Sequence, residues 1–248
     1  MKDLDTVIKE ALDVLKRGGL ILYPTDTVWG IGCDATNEEA VQKVFALKRR
    51  SEAKSLVLLA CDLDMVARYI RKIPSIAVDL VEVNDAPMTI VYPGAIVAGA
   101  SGNTAFGLAP STVAADGSVG IRIPRAAASR EDDRPVSSGA VFCSRLIYRL
   151  RRPLVSTSAN ISGEAAPSDF AAISPEIRAG VDYVVPAALS VPTGPRSAAP
   201  GPRTPAMPGS DRASRTPATV VRFDDSATGR PSQILKLGLD GEVEIIRP

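Results

Sequence analysis

The sequence predicts an α/β fold, with one twisted mixed or parallel sheet and helices packed on it. Three observations carry this. Apolar residues at helical spacing alternate with short apolar runs through the first 185 of the 248 residues. Glycine, proline and capping residues punctuate that alternation, and strand-like patterning returns near the C-terminus after a proline-rich stretch.

Taken in order, Val7, Ile8, Ala11, Leu12 and Leu15 repeat at helical spacing, and Gly18-Gly19 supplies the stop. Leu20-Ile21-Leu22-Tyr23 reads as a buried strand. Thr36 and Glu39 make a capping box for a second helix, whose inner face is Ala40, Val41, Val44 and Phe45. That helix ends in Lys48-Arg49-Arg50, cations suited to the negative end of a helix dipole, and the spacing puts Lys48 and Arg50 at an exposed helix end. Ser55–Leu59 reads as strand, Asp62–Ile70 as helix, Met88–Tyr92 and Ser118–Ile123 as strands, and Ser144–Leu150 as helix. Leu154-Val155-Ser156-Thr157 is a strand running into the turn Ser158-Ala159-Asn160, with a short helix from Ser174-Pro175 and a strand at Val181–Val185 beyond it.

Three stretches break the pattern. Val97–Thr104 is rich in small residues and Ala126–Gly139 is polar; both look inserted. Eight of the twenty prolines lie in Pro186–Pro217, where the composition predicts a flexible loop rather than packed structure. Ala218–Phe223, Gln233–Leu237 and Glu242–Ile246 then read as terminal strands, with Asp240-Gly241 as a hairpin turn. The expected organisation is therefore a core over 1–185, a loop over 186–217, and strands over 218–248 that return to the core.

Composition narrows the chemistry. The chain has no histidine, which excludes Ser-His-Asp and Cys-His catalysis and any His-ligated zinc or haem. Cys33, Cys61 and Cys143 are too far apart for a C-x-x-C pair, so they suggest a reducing compartment and no cysteine-bound metal. With 29 basic and 28 acidic side chains, nucleic-acid contact would need a local patch. No apolar run is long enough to span a membrane, and the charged N-terminus is unlike a signal peptide; a cytoplasmic, soluble enzyme is expected.

There is no phosphate loop of the G-x-x-x-x-G-K-[ST] type, and Gly30-Ile31-Gly32 lacks the third glycine of a dinucleotide site. Four polar segments at the ends of apolar strands are candidates instead. Thr25-Asp26-Thr27 can orient a small polar ligand or cap a turn. Lys48 and Arg50, with Lys54 close behind, can clamp phosphates or form a solvated helix end. Arg122, inside an apolar strand, requires an internal carboxylate or a ligand anion. Ser156, Ser158 and Asn160 crowd hydroxyls and an amide after a strand, for a ligand or for turn capping.

In this order, Pro24-Thr25-Asp26-Thr27, Lys48-x-Arg50 and Ser158-x-Asn160 closely resemble the threonylcarbamoyl-AMP synthase (YrdC-like) family, whose signature is K-x-R…S-x-N. The resemblance spans about residues 5–185 and resumes at Arg230–Arg247, where Pro231-Ser232-Gln233-Ile234 is similar to the family's P-S-T-[IV] strand. It implies a basic concave face, and a nucleotidyl transfer from ATP that joins L-threonine and bicarbonate or CO2 into threonylcarbamoyl-AMP with release of pyrophosphate. It also implies Mg²⁺ carried by ATP, tRNA threonylcarbamoyladenosine as the downstream product, and transferase proteins as partners. On this resemblance Lys48 and Arg50 are catalytic, and Thr25, Thr27 and Arg122 bind threonine. Lys48, Arg50, Lys54, Ser156, Ser158, Asn160 and Ser232 bind the nucleotide, and no residue is a metal ligand. The rival expectations are a non-catalytic or regulatory homologue, a carbamoyl-adenylating domain, and binding of tRNA or double-stranded RNA on the basic face.

Overall fold

A computed structural model describes residues 2–51, 56–84, 86–99, 106–124, 137–192 and 218–248. Lys54, most of the two segments read as insertions and residues 193–217 lie outside it. In chain order the elements are α1 (Leu4–Lys16), β1 (Ile21–Tyr23), β2 (Gly30–Gly32), α2 (Glu38–Lys48), β3 (Val57–Leu59), α3 (Leu63–Tyr69), α4 (Ser75–Val83) and β4 (Met88–Tyr92). There follow β5 (Val119–Arg122), α5 (Ser138–Leu150), β6 (Leu154–Ser158), α6 (Pro175–Ala179), β7 (Tyr183–Val184), β8 (Ala188–Pro192), β9 (Ala218–Arg222), β10 (Gln233–Leu237) and β11 (Val243–Arg247). Among the described residues no helix is long and apolar enough to cross a membrane.

Nine strands form one sheet in the order β11-β10-β4-β5-β3-β6-β2-β1-β7, and β8 and β9 form a separate two-stranded sheet. The large sheet is mixed: β1–β7, β3–β5 and β4–β10 are parallel and its other junctions antiparallel. Alternation along the central strands assigns its two faces. Ile31, Leu58, Ile90, Ile121 and Val155 are buried in the hydrophobic core. Their neighbours Gly30, Val57, Arg122 and Ser156 lie on the opposite face, because side chains alternate along a strand and directly paired residues share a face.

Helix starts follow local chemistry. The Asp3 side chain accepts from the Thr6 amide at the head of α1. Asn37, not Thr36, caps α2 by accepting from the Ala40 amide at 3.1 Å. Thr36 is occupied elsewhere, since its hydroxyl and amide both donate to Asp34 Oδ1. Helix α5 begins at Ser138, six residues before the expected start at Ser144, with Ser137 as its cap. Its first turn is pressed against the end of β1: a Cβ at Gly139 would lie 2.2 Å from the Thr25 carbonyl oxygen. Only glycine allows that approach.

Strand β8 falls inside the stretch expected to be loop. It pairs antiparallel with β9 from Ala188↔Arg222 to Pro192↔Ala218, so the chain on either side of residues 193–217 is adjacent. Helix α4 and strand β2 are further elements that the residue patterning did not mark.

Candidate active site

A cavity of about 280 Å³ opens on the sheet face that carries Gly30, Val57, Arg122 and Ser156. Its lining gathers at strand ends, where the sequence pattern placed it: Gly30 opens β2, Val57 opens β3, Arg122 closes β5 and Ser158 closes β6. The register puts Gly30 beside Ser158, Ser156 beside Val57 and Arg122 beside Thr89, so the lining comes from several strands side by side. Thr25, Thr27, Arg50, Arg122, Ser156, Ser158 and Ser232 all line it, as do Gly30, Val28, Pro231 and Arg247.

The turn after β1 is stapled by one hydroxyl. Thr25 Oγ1 donates to the Val28 carbonyl at 2.7 Å and accepts from the amides of Thr27 at 3.0 Å and Val28 at 3.2 Å. The Thr27 hydroxyl lies 2.8 Å from it, within hydrogen-bond distance in either direction. The turn-forming and ligand-facing readings of this segment describe the same residues. The returning C-terminal segment locks the turn from outside, as the Thr228 and Gly229 amides donate to the carbonyls of Asp26 and Thr27. Beside it the Trp29 indole donates to Asp224 at 2.6 Å and packs edge-on to Phe223.

Arg122 forms an internal ion pair. Its Nη1 donates to Asp26 Oδ1, and both residues are buried at the cavity's edge. Asp26, read with Thr25 and Thr27 as able to orient a small polar ligand or cap a turn, pairs with Arg122 behind the lining instead of joining it. Arg247 carries no sequence signal of its own. It reaches the cavity from the last strand and donates through Nε and Nη2 to the Ser232 carbonyl at 2.9 and 2.6 Å. The Ser232 hydroxyl lies 2.7 Å from Thr89 Oγ1, tying the first residue before β10 to β4. Burial lowers the pKa of both Arg50 and Arg247, since a low-polarity surrounding disfavours the cation.

Lys48 is a correction. It is 1% exposed and does not line the cavity, contrary to the expected exposed helix end. Its ammonium donates to the carbonyl of Ser158 and, at 2.6 Å, to that of Asn160, while the Ser162 amide returns a bond to the Lys48 carbonyl. Burial, with the Arg50 charge nearby, lowers its pKa from 10.5 to about 8. Asn160 also lies behind the cavity lining: its Nδ2 donates to the carbonyls of Ile161 and Glu164. Lys48 and Asn160 therefore shape the turn that presents Ser158.

Among the described residues three arginines and no carboxylate line the cavity, with serine and threonine hydroxyls between them. Such a surface favours a ligand carrying several negative charges. Among the described residues no three His, Cys, Asp or Glu side chains cluster to hold a metal.

A family model described as telomere recombination, covering Sua5, YciO and YrdC proteins, matches residues 13–199. A threonylcarbamoyl-AMP synthase of Xanthomonas euvesicatoria is 31% identical over 206 residues, 80% of this chain and 95% of that protein. One of Halorhodospira halophila is 38% identical over 87 residues, 35% of this chain and 46% of that protein. Among solved structures, a doubly substituted P. abyssi Sua5 superposes with TM-score 0.65 at 18% identity, over 97% of this chain and 56% of that one. P. abyssi Sua5 complexed with L-threonine superposes with TM-score 0.58 at 23% identity, over 71% of this chain and 45% of that one. The chain thus spans about half the length of Sua5, and these structural likenesses establish the fold. With three quarters of its length matched by the family model, the chain belongs to the Sua5/YciO/YrdC (YrdC-like) family.

Proposed function

We propose that this chain is an L-threonylcarbamoyladenylate synthase, a nucleotidyltransferase that joins L-threonine, bicarbonate or CO2, and ATP. The observation that carries the reading is the cavity lined by Arg50, Arg122 and Arg247, with no carboxylate lining it among the described residues. The names of the curated relatives and the threonine complex of Sua5 support it.

The threonine amine adds to CO2 to give an N-carboxylate and loses a proton. One carboxylate oxygen then forms a bond to the ATP α-phosphorus as the bond to the β-phosphate oxygen breaks, and pyrophosphate departs with the electron pair. The N-carboxylate and ATP are both anionic, so the protein's work is charge neutralisation and alignment, for which no histidine is needed. Arg50 and Arg247 would hold phosphate oxygens, with Ser156, Ser158 and Ser232 donating to the nucleotide and Lys54 adding charge. Thr27 and Arg122 would face threonine and its carboxylate, with Thr25 fixing the turn between them. Lys48 and Asn160 act from behind by fixing the turn of Ser158. Mg²⁺ enters as part of the ATP substrate, ligated by phosphate oxygens and water. The product would feed tRNA threonylcarbamoyladenosine formation through a downstream transferase.

Pyrophosphate release from ATP, measured with L-threonine and bicarbonate together and with each omitted, tests the reading. Release that needs both is expected. Release independent of threonine, or none, would overturn it.

A further inference from the structure

We propose that Asp26 is a positioning residue that shares the Arg122 guanidinium with an anionic group of the substrate, a carboxylate or a phosphate. This rests on the reading of the cavity as the substrate site.

The geometry is specific. Arg122 closes β5, while Asp26 sits in the turn after β1, so their ion pair bridges two separate parts of the cavity wall. Arg122 lines the cavity and Asp26 does not. The turn that carries the carboxylate is held in place from three sides. Thr25 Oγ1 staples the turn, the Asp26 carbonyl accepts from the Thr228 amide at 2.9 Å, and the neighbouring Thr27 carbonyl accepts from Gly229. A guanidinium carries five N–H donors in a rigid fork, more than one carboxylate oxygen uses. A cation this buried needs a counter-charge when the cavity is empty. Asp26 supplies that charge and fixes the fork's orientation, leaving the rest of the fork to an incoming anion.

Two consequences separate this role from plain structural support. Neutralising Asp26 gives the anion sole claim on Arg122, so binding tightens. The same change frees the fork to rotate, so the reacting geometry is lost and turnover slows. A residue that only stabilised the fold would weaken both together.

The test uses the full chain with Asp26→Asn and Asp26→Glu, the probes being inorganic pyrophosphate and L-threonine in separate titrations, alongside steady-state pyrophosphate release. For Asp26→Asn, Kd for at least one probe should fall threefold or more while kcat falls tenfold or more; the probe that gains affinity identifies the anion as phosphate or carboxylate. Asp26→Glu should recover part of kcat and return Kd to within twofold of the parent. In an Arg122→Gln background, Asp26→Asn should change neither quantity further. Unchanged kcat in Asp26→Asn, or weaker binding of both probes, would overturn the proposal. Should Asp26→Asn not fold, Asp26→Glu decides: parental kcat there overturns it, and a lowered kcat with parental probe affinity supports it. The binding arm needs no turnover, so a parent protein that binds the probes but releases no pyrophosphate would sink the proposed reaction and leave the Asp26 assignment standing.

Discussion

The buried ammonium of Lys48 donates to the Ser158 carbonyl 110 residues further along the chain, and to that of Asn160. The two halves of the K-x-R…S-x-N signature therefore meet through the backbone of one and the side chain of the other. Arg50 faces the cavity while Lys48 holds up its wall.

Lys48→Ala should cost stability as well as activity. It leaves two carbonyls without their donor and opens a void behind the Ser158 turn, together worth about 3 kcal/mol. Urea denaturation measures this, and an unfolding free energy equal to that of the parent would refute the buried-strut role.

The same lysine makes stability depend on alkaline pH. Its folded pKa of about 8 lies below the ordinary 10.5, so between these values the unfolded chain binds the extra proton. The burden of a buried cation is fully present below pH 8 and is relieved as the pH rises toward 10.5. The stability difference between the parent and Lys48→Ala should therefore widen in the parent's favour between pH 8 and 10. Chemical denaturation at the two pH values provides the comparison, and a difference that narrows would contradict the depressed pKa.

Arg50→Ala should leave the fold intact and lower kcat/KM by a factor of about 10² to 10³, the usual loss when one preorganised charged donor is removed. The quantity to follow is threonine-dependent pyrophosphate release, with melting temperature as the control. Activity within threefold of the parent would remove Arg50 from the site.

Serine should replace threonine better than valine does. Losing a methyl is worth only about 1–3 kcal/mol, whereas losing the hydroxyl leaves a polar pocket unpaired. Thr25 and Thr27 both line the cavity and supply polar partners for the substrate hydroxyl. Comparison of kcat/KM for the two surrogates checks this, and valine ahead of serine would refute it.

Strands β8 and β9 already place Pro192 opposite Ala218. Replacing residues 194–216 with a short Gly/Ser bridge should then leave melting temperature and activity nearly unchanged, since loop closure changes by only about 0.6 kcal/mol per doubling of length. A stop after Pro217 should abolish both, because it removes β9, β10, β11, Ser232 and Arg247. A bridged protein that melts many degrees lower would show that the excised residues contribute to packing.

The α/β class, most of the strands and much of the cavity lining are legible in the residue pattern alone. Thr25, Thr27, Arg122, Ser156 and Ser158 are polar side chains in or beside apolar strands. Burying such groups is unfavourable without a partner, so the pattern marks each of them as a residue that needs one. Which partner each one finds is a matter of tertiary contact. Arg122 admitted either an internal carboxylate or a ligand anion, and the pairing with Asp26 depends on the turn after β1 meeting the end of β5. Lys48 at a helix end reads as solvated, because nothing nearby in the chain reveals that the Ser158 and Asn160 carbonyls will close over it. Arg247 lies one residue past the terminal strand read at Glu242–Ile246; the pairing of β10 with β4 is what carries its neighbour into the cavity wall. Local patterning encodes what each segment must hide or show. Long-range register decides which segments become neighbours, and burial, charge pairing and pKa shifts arise only between neighbours.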